Sequence, residues 1–401
     1  MPEPQNQSVP AAKPQKPPKL REVRFEDHAQ IAALAAKFEL QVETFPGWSH
    51  LWTNNPAYRE IREANDREAN ANDKNTFPMG WVLDIGEGAI CGYLGNVPMN
   101  YEFEGKRLLA ATTRAWVVDT PYRSYSPLLL GTYFQQRNVD LFLSTTVSAQ
   151  SAPAYSIFQG IPVPQGAWDR TLFWITHYQG FIESFLRQKR GAISKPLSYP
   201  LSAGLFLRDQ LRRSRLQPSV RAINVQACAS FDDRFEAFWA DLRKQKSHLL
   251  LAVRSREALA WHFKFALQQK TAWIYTVEGS SGLAAYSVFL RHDYPQIGLT
   301  RMRLADFQSL DQKSLGQQSA PDLLMAMLQA AKQRCRAESI HMLEVVGVAP
   351  ELEKSLKRTS PHRRPLSSWL YYYKAGNPSL ADKLKNPAVW EPSLFDGDST
   401  L

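Results

Sequence analysis

A short polar turn between an apolar strand and a helix contains the residues of this chain best suited to binding a phosphate group. The segment "VVDTPYRSYSPLLL" spans residues 117–130. Peptide N–H groups in the first turn of a helix lack intrahelical partners, and the aligned peptide dipoles add partial positive charge there. A diphosphate placed against such a helix meets several donors at once. The candidate residues are Arg123, Ser124, Tyr125, Ser126, Pro127 and Leu128.

The same turn also has a purely structural interpretation. Ser126 followed by Pro127 is a good N-cap pair, and Ser126 Oγ would then occupy an N–H group that a phosphate requires. No glycine stands in the turn to allow close approach of the backbone. Arg123 suits a phosphate because its planar guanidinium forms paired hydrogen bonds. Residue spacing alone therefore favours the cap over the phosphate site.

The elements that position this turn are predicted to form a mixed α/β sheet flanked by helices. The residue pattern predicts a loop-rich stretch around Trp48 and Trp52, and a hairpin turn at residues 104–106. The remaining predicted elements are strand 20–25, helix 27–40, extended segments 79–87, 89–105 and 106–119, the helix after the turn, strand 139–148, helix 151–158 and a closing strand pair within 162–180.

The second half of the chain repeats much of this order of elements with little residue identity, which indicates a structural duplication. A chain of 401 residues is also longer than one hydrophobic core usually serves. The predicted division is a disordered Pro-rich tail (1–19), a first domain (20–182), a basic linker (183–218), a degenerate second domain (219–376) and a C-terminal tail (377–401).

Composition limits the classes of function. The formal net charge of +10 invites an anionic partner, but a solvated linker face explains the clustered basic residues better than a membrane-surface or nucleic-acid patch. No run approaches the roughly 18 apolar residues of a membrane span. Three scattered cysteines suit a reducing, cytoplasmic compartment, and the eight histidines show no metal-ligand spacing, so no metal is expected.

Two motifs resemble the signatures of the GNAT superfamily of acyl-CoA-dependent N-acyltransferases. The turn is similar to "V-x-P-x-Y-R-G-x-G-x-G-x-x-L-L", with Arg123 in register but with Ser126 and Leu128 at two small-residue positions. Downstream, "SAQSAPAYSIFQG" (148–160) resembles the family's Asn-x6-Tyr motif, with Ser148 in place of the asparagine and Tyr155 on the tyrosine. The second half resembles the same fold more faintly.

The resemblance implies a bacterial-type tandem GNAT protein that transfers an acyl group, with acetyl favoured, from acetyl-CoA or another acyl-CoA to an amine. The acceptor would be a small molecule or a cell-envelope precursor. By the same resemblance, a backbone N–H near Val117 or Val118 stabilises the oxyanion, and Tyr155 protonates the leaving thiolate. A buried structural tyrosine is an almost equal alternative for Tyr155.

The general base stays open at this point. Family members often carry a carboxylate on the strand before the turn, where this chain has Arg114 and Ala115. Asp119, which ends that strand, or a water chain could serve, although Asp119 also suits ordering of the turn. Arg114 could bind an acidic substrate or pair with a neighbouring carboxylate. Two further hypotheses remain: a catalytically inactive GNAT-fold binding or scaffold protein, and a nucleic-acid or membrane-surface module that uses the basic linker. Nucleic acid is not expected as a partner.

Overall fold

The protein was analysed as a computed structural model. It describes residues 16–40, 43–67, 77–165, 170–190, 198–214, 223–280, 282–310, 318–347, 349–359, 361–365 and 370–401. Most of the predicted N-terminal tail lies outside these ranges. Within them, no helix is both long enough and apolar enough to cross a lipid bilayer.

The first half has the predicted strands and an additional helical layer. Its elements are β1 (Lys19–Glu22), α1 (His28–Lys37), α2 (Phe45–Thr53), α3 (Pro56–Arg67), β2 (Gly80–Asp84), β3 (Ile90–Phe103), β4 (Lys106–Val118), α4 (Ser126–Phe134), β5 (Leu141–Val147), α5 (Ala152–Ile157), β6 (Ile161–Pro162) and β7 (Arg170–Ile175).

The loop predicted around Trp48 and Trp52 is wrong, because α2 and α3 occupy it. Trp48, Leu51 and Trp52 have helical spacing and are all buried. The hairpin turn at residues 104–106 is confirmed. Glu104 and Gly105, with φ of 51° and 74°, form a two-residue connection between β3 and β4.

The second half continues the α/β pattern. Its elements are α6 (Tyr178–Arg190), α7 (Ser198–Ser214), β8 (Gln226–Cys228), α8 (Asp233–Gln245), β9 (Leu251–Ala252), α9 (Arg256–His262), α10 (Lys264–Gln268), β10 (Ala272–Gly279), β11 (Gly282–Arg291), β12 (Arg301–Ser309), α11 (Ala320–Ala337), β13 (Met342–Val346), α12 (Pro350–Lys357), β14 (His362–Pro365), β15 (Leu370–Ala375) and α13 (Pro378–Leu384). Much of the predicted linker 183–218 is therefore helical.

Each half of the chain contributes to the sheet that the other half mainly builds. The first sheet has the order β1-β2-β3-β4-β5-β15-β6, with β9 added to β3, and the second has the order β14-β7-β13-β12-β11-β10-β8. Strand β7 thus joins the second sheet, and β15 joins the first between β5 and β6. The closing strand pair predicted within 162–180 is wrong for the described residues of that stretch, because β6 and β7 belong to different sheets.

The first sheet is covered by helices on both faces. Adjacent residues of a strand point to opposite faces, and here Trp81 and Leu83 pack with α4 whereas Val82 packs with α1 and α2. In the second sheet, α11 covers one face, where it packs on Trp273 and Tyr275. The layers on the first sheet leave strands β4 and β5 between two helical walls.

The other face of the second sheet belongs to a core that both halves share. Tyr101 of the first sheet and Tyr286 of the second lie in one buried cluster with Phe235 of α8. Residues 377–401 are not a tail, because Trp390, Leu394 and Phe395 are buried in the same cluster. Three large apolar side chains explain why this segment folds into the interior.

Candidate functional site

Strands β4 and β5 form an open parallel pair. They pair only where Ala110–Thr112 face Leu141–Leu143, although β4 continues to Val118 and β5 to Val147. The Thr113 hydroxyl donates to Ser144 Oγ at 2.7 Å at the point where pairing ends. Beyond this point the gap opens into a cavity of about 460 Å³, also lined by α1, α2, the start of α5 and residues 398–401.

A β-bulge shapes the β4 side of the gap. Ala115 and Trp116 together oppose the single residue Leu94 of β3, and Ala115 has a φ of 51°. Such a bulge bends a strand and increases its twist. The Asp119 amide donates to the Cys91 carbonyl of β3. Because amides alternate along an antiparallel ladder, the preceding amide, that of Val118, points away from β3 and toward the gap.

Tyr155 lies where the two strands part, and its side chain lines the cavity. Its side chain is buried, with ring centroids 5.8 Å from Trp116 and 5.4 Å from Tyr372. Burial raises the pKa of Tyr155 to about 12, although the neighbouring Ser144 and Thr113 hydroxyls act to lower it. At that pKa the phenol is a weaker acid than a thiol, so hydrogen-bond donation suits it better than full proton release.

The N-terminus of helix α4 differs from the predicted one. A 3₁₀ turn, Thr120–Tyr125, leads into α4, so Tyr125 rather than Ser126 occupies the N-cap position and no side chain caps the helix. The Ser126 amide donates to the Arg123 carbonyl, which leaves it unavailable to a phosphate. The structural cap and the phosphate site at this amide are therefore both excluded.

The neighbouring predicted phosphate ligands lie at the protein surface. Arg123, Ser124, Pro127 and Leu128 are exposed, and Tyr125 is half-buried. Among the described residues, the Arg123 side chain has no hydrogen-bond or ion-pair partner. The contact of these five residues with a phosphate stays a prediction.

Arg114 and Asp119 both have partners within the protein. Arg114 forms an ion pair with Glu43, which precedes α2, and it donates to the carbonyls of Asp398 at 2.8 Å and Leu401 at 2.9 Å. The acidic partner thus comes from a helical layer rather than from a neighbouring strand. The Asp119 carboxylate pairs with Lys37 Nζ at 2.9 Å, outside the gap.

The carboxylate of Asp398 also lies at the gap, and the sequence analysis did not identify it. Its Oδ1 accepts from Thr145 Oγ1 at 3.0 Å and from Thr146 Oγ1 at 3.2 Å, both on β5. Burial raises the pKa of Asp398 above its ordinary value. The buried Leu394 and Phe395 just before it were the available signal that this segment enters the interior.

A second cavity, of about 380 Å³, adjoins the first. The two cavities share Glu43, Ser399 and Leu401, and the second extends between α2 and α9 toward the second sheet. His262 lines it, with Nε2 2.7 Å from Thr400 Oγ1 and a buried Nδ1 that has no partner among the described residues. Burial lowers the pKa of His262 to about 3, so its imidazole is neutral at physiological pH.

The second sheet has an equivalent parallel pair that is closed. Strands β12 and β13 pair from Arg301–Leu304 to Met342–Val345. Beyond that pairing, residues 391–394 occupy the space and leave a cavity of only about 30 Å³. Arg254, buried beside this segment, binds both Asp306 of β12 and Asp396. Only the first sheet presents a cavity of ligand size at its parallel pair among the described residues.

Comparison with known proteins identifies the fold. No sequence-family profile and no curated protein matches the chain. Saccharomyces cerevisiae N-myristoyltransferase with bound myristoyl-CoA is similar over 92% of this chain and 81% of its own, with a TM-score of 0.56 and 12% identity. The same enzyme with myristoyl-CoA and inhibitors gives a TM-score of 0.53, 11% identity and coverage of 98% and 86%. A GCN5-related N-acetyltransferase from Anabaena variabilis gives 0.48, 10% identity and coverage of 90% and 73%.

The two N-myristoyltransferase likenesses show the fold. The chain has the GNAT-like fold of acyl-CoA N-acyltransferases, with two tandem GNAT-like units built on mixed sheets, as the sequence predicted. At 11–12% identity these two likenesses do not extend to the activity.

Proposed function

We propose that the first sheet binds an acyl-CoA in the gap between β4 and β5 and that the protein transfers the acyl group to an amine. The observation that carries this proposal is the open parallel pair with Tyr155 at its closed end. The similar N-myristoyltransferase structure contains myristoyl-CoA, which supports an acyl-CoA as the co-substrate. The proposal does not require the Ser126 amide, since it rests on the gap.

Residues around the gap fit the parts of an acyl-CoA. Trp116 lines the cavity, and its Nε1 is buried without a hydrogen-bond partner among the described residues. A buried N–H without a partner costs about 1–3 kcal/mol, so an amide oxygen of the pantetheine arm is a favourable occupant. The exposed guanidinium of Arg123 is suited to a CoA phosphate. The Val118 amide would receive the developing oxyanion.

The first cavity favours an acyl chain longer than acetyl. Ile31, Ala35, Leu40 and Trp48 form an apolar wall that begins at the gap and follows α1 and α2. Burial of each methylene of a chain contributes about 0.8 kcal/mol. We therefore expect kcat/KM to rise with chain length in a series from acetyl-CoA to myristoyl-CoA. A maximum of kcat/KM at acetyl-CoA would instead agree with the acetyl transfer that the sequence resemblance favoured.

The proposed reaction is direct attack. The acceptor amine enters from the second cavity, loses a proton to Asp398, and forms a bond to the thioester carbonyl carbon. The tetrahedral oxyanion accepts a hydrogen bond from the Val118 amide, and the carbon–sulfur bond then breaks. Tyr155 donates a hydrogen bond to the departing thiolate, which takes up a proton as CoA is released. Asp398, with its raised pKa, is closer to the range of a useful general base than an ordinary carboxylate.

A second candidate function is binding without chemistry. The occupied Ser126 amide and the non-glycine residues Ser126 and Leu128 favour a GNAT-fold scaffold that has lost catalysis. Release of free CoA thiol from acyl-CoA, measured with a panel of small amines and cell-envelope precursor amines, separates the two. Amine-dependent release that weakens in Arg123→Ala supports transfer. Tight acyl-CoA binding with no release for any amine supports the scaffold.

We place this reaction in the cytoplasm, where acyl-CoA is made and where the three free cysteines remain reduced.

A further inference from the structure

Helices α6 and α7 form a hairpin that exposes an unusual amount of apolar surface. Six of the twelve large hydrophobic side chains exposed in the described residues lie on these two helices, although the helices contain only 13 and 17 residues. The six are Phe185, Tyr199, Leu201, Phe206, Leu207 and Leu211. Apolar patches of this kind on a folded protein mark contact sites for a partner or a membrane. We call this patch the α6–α7 surface.

Helix α7 turns polar residues toward the protein and apolar residues toward solvent, which is the reverse of an ordinary surface helix. Its buried side carries polar residues, because Asp209 accepts hydrogen bonds from the Tyr178 hydroxyl at 3.0 Å and from His362 Nε2 at 2.9 Å. Its outward side carries Leu207 and Leu211, which lie one turn apart and nearly opposite Asp209 at 3.6 residues per turn. The exposed Tyr199 and Phe206 lie beside this side, and the Phe206 ring packs edge-to-face on Tyr178 with ring centroids 5.3 Å apart. Polar contacts thus fix the helix to the protein, and the apolar face is left for an external partner.

Basic residues accompany these apolar residues along the sequence. The stretch 183–218 contains eight lysines and arginines and two acidic residues, which gives it a net charge of +6 out of +10 for the whole chain. Within the described side chains, Arg187 on α6 and Arg208 on α7 are exposed. A helix with an apolar face and basic flanks binds the interface of an anionic bilayer by insertion and charge attraction together.

We propose that the α6–α7 surface docks on an anionic lipid bilayer, with α7 parallel to the membrane plane. Leu207 and Leu211, which are 61% and 66% exposed, enter the boundary between head groups and acyl chains. Arg187 and Arg208 remain at the level of the lipid phosphates. This surface binds the membrane without crossing it.

The docked orientation also determines where the second cavity lies relative to the bilayer, an inference that rests on the proposed function. Helix α6 contacts the 3₁₀ turn Pro295–Ile297, through the Arg187 side chain among others. The residues just before that turn, Arg291–Asp293, line the second cavity. Docking therefore brings the rim of the acceptor cavity beside the bilayer, where an amine attached to a lipid would be presented.

Flotation of the full-length protein with vesicles tests the proposal without any catalytic readout. The vesicles are phosphatidylcholine alone or a mixture of phosphatidylcholine and phosphatidylglycerol. We expect binding to the mixed vesicles, weaker binding to phosphatidylcholine, and loss of binding as salt is raised. The double variant Leu207→Glu/Leu211→Glu should lower the partition coefficient about tenfold or more. Arg187→Gln/Arg208→Gln should reduce the preference for anionic vesicles.

The control is Ile157→Glu, which places one glutamate, half the added charge of the double variant, on a residue that is 74% exposed on α5, away from the hairpin. This variant should bind vesicles like the wild type. Thermal melting verifies that the variants fold. Equal vesicle binding by the double leucine variant and the wild type would overturn the proposal, as would failure of the wild type to bind mixed vesicles. In the latter case, a dimer in light scattering that the leucine variant dissociates would assign the surface to contact between copies.

Discussion

Replacing Tyr155 by phenylalanine isolates one hydroxyl at the closed end of the gap. The ring keeps its contacts with Trp116 and Tyr372. Thr113 and Ser144, whose hydroxyls neighbour that of Tyr155, keep the hydrogen bond that joins them. We therefore expect a loss of stability of only about 1 kcal/mol. If the hydroxyl stabilises the departing thiolate, kcat should fall about a hundredfold, or about 3 kcal/mol, since the lost interaction exists mainly in the transition state.

The pKa of Tyr155 adds a second expectation. At a pKa of about 12, the phenol stays protonated at every pH at which the proposed transfer would be measured. The wild-type rate should therefore show no alkaline decline caused by Tyr155, and the fall in the variant should be the same at pH 7 and pH 9. A fall that changes tenfold between these values would indicate that the hydroxyl titrates and would contradict the assigned environment.

Steady-state release of CoA thiol gives kcat and KM for Tyr155→Phe. The matched control is Tyr133→Phe. Tyr133 is also buried, but its hydroxyl donates to the Ala111 carbonyl, accepts from the Leu143 amide and does not line the cavity. The control should keep kcat within a few fold of the wild type. If the Tyr155 variant also keeps its kcat, or if only its KM rises, the reasoning is refuted, and Tyr155 is a packing residue.

Further predictions concern three buried carboxylates. Burial raises the pKa of Asp396 to about 6, so its contribution to stability is complete below pH 4 and falls by about 3 kcal/mol as the pH rises through 6. In urea unfolding, Asp396→Asn should flatten this decline in the free energy of unfolding with pH, and it should lower that free energy only slightly at pH 7. Asp306→Asn should cost about 3–5 kcal/mol in the same assay, because two bonds from Arg254 then lose their charged acceptor; equal losses for the two variants would contradict this assignment. Asp398→Asn should lower kcat/KM about a hundredfold and remove the rise in rate with pH, and a pH profile that persists in the variant would exclude Asp398 as the base.

Local pattern was sufficient to predict the elements that carry the site. The strands, the hairpin at Glu104 and Gly105, and the position of Tyr155 after β5 depend on residues close in sequence. The N-cap predicted at Ser126 is wrong because two local signals, the serine–proline pair and the preceding 3₁₀ turn, compete, and the backbone bond from Ser126 to Arg123 prevails.

Long-range contacts explain what the sequence could not provide. Asp398 reaches Thr145 across 253 positions, and its role depends on Leu394 and Phe395 being buried in a core that both halves build. The exchange of β7 and β15 between sheets is equally non-local, because the residue pattern of a strand does not specify which sheet it joins. Tandem duplication was visible in the order of elements, but this exchange was not.

The central claim is that the gap between β4 and β5 receives an acyl-CoA. Isothermal titration with a non-hydrolysable thioether analogue of an acyl-CoA tests it most directly, with Ser151→Trp to fill the mouth of the gap. Ser156→Trp is the control, since Ser156 is exposed on the same helix and does not line the cavity. We predict one bound analogue per chain for the wild type and Ser156→Trp, and affinity about tenfold weaker or worse for Ser151→Trp. Undiminished binding by Ser151→Trp, or none by the wild type, would contradict the claim.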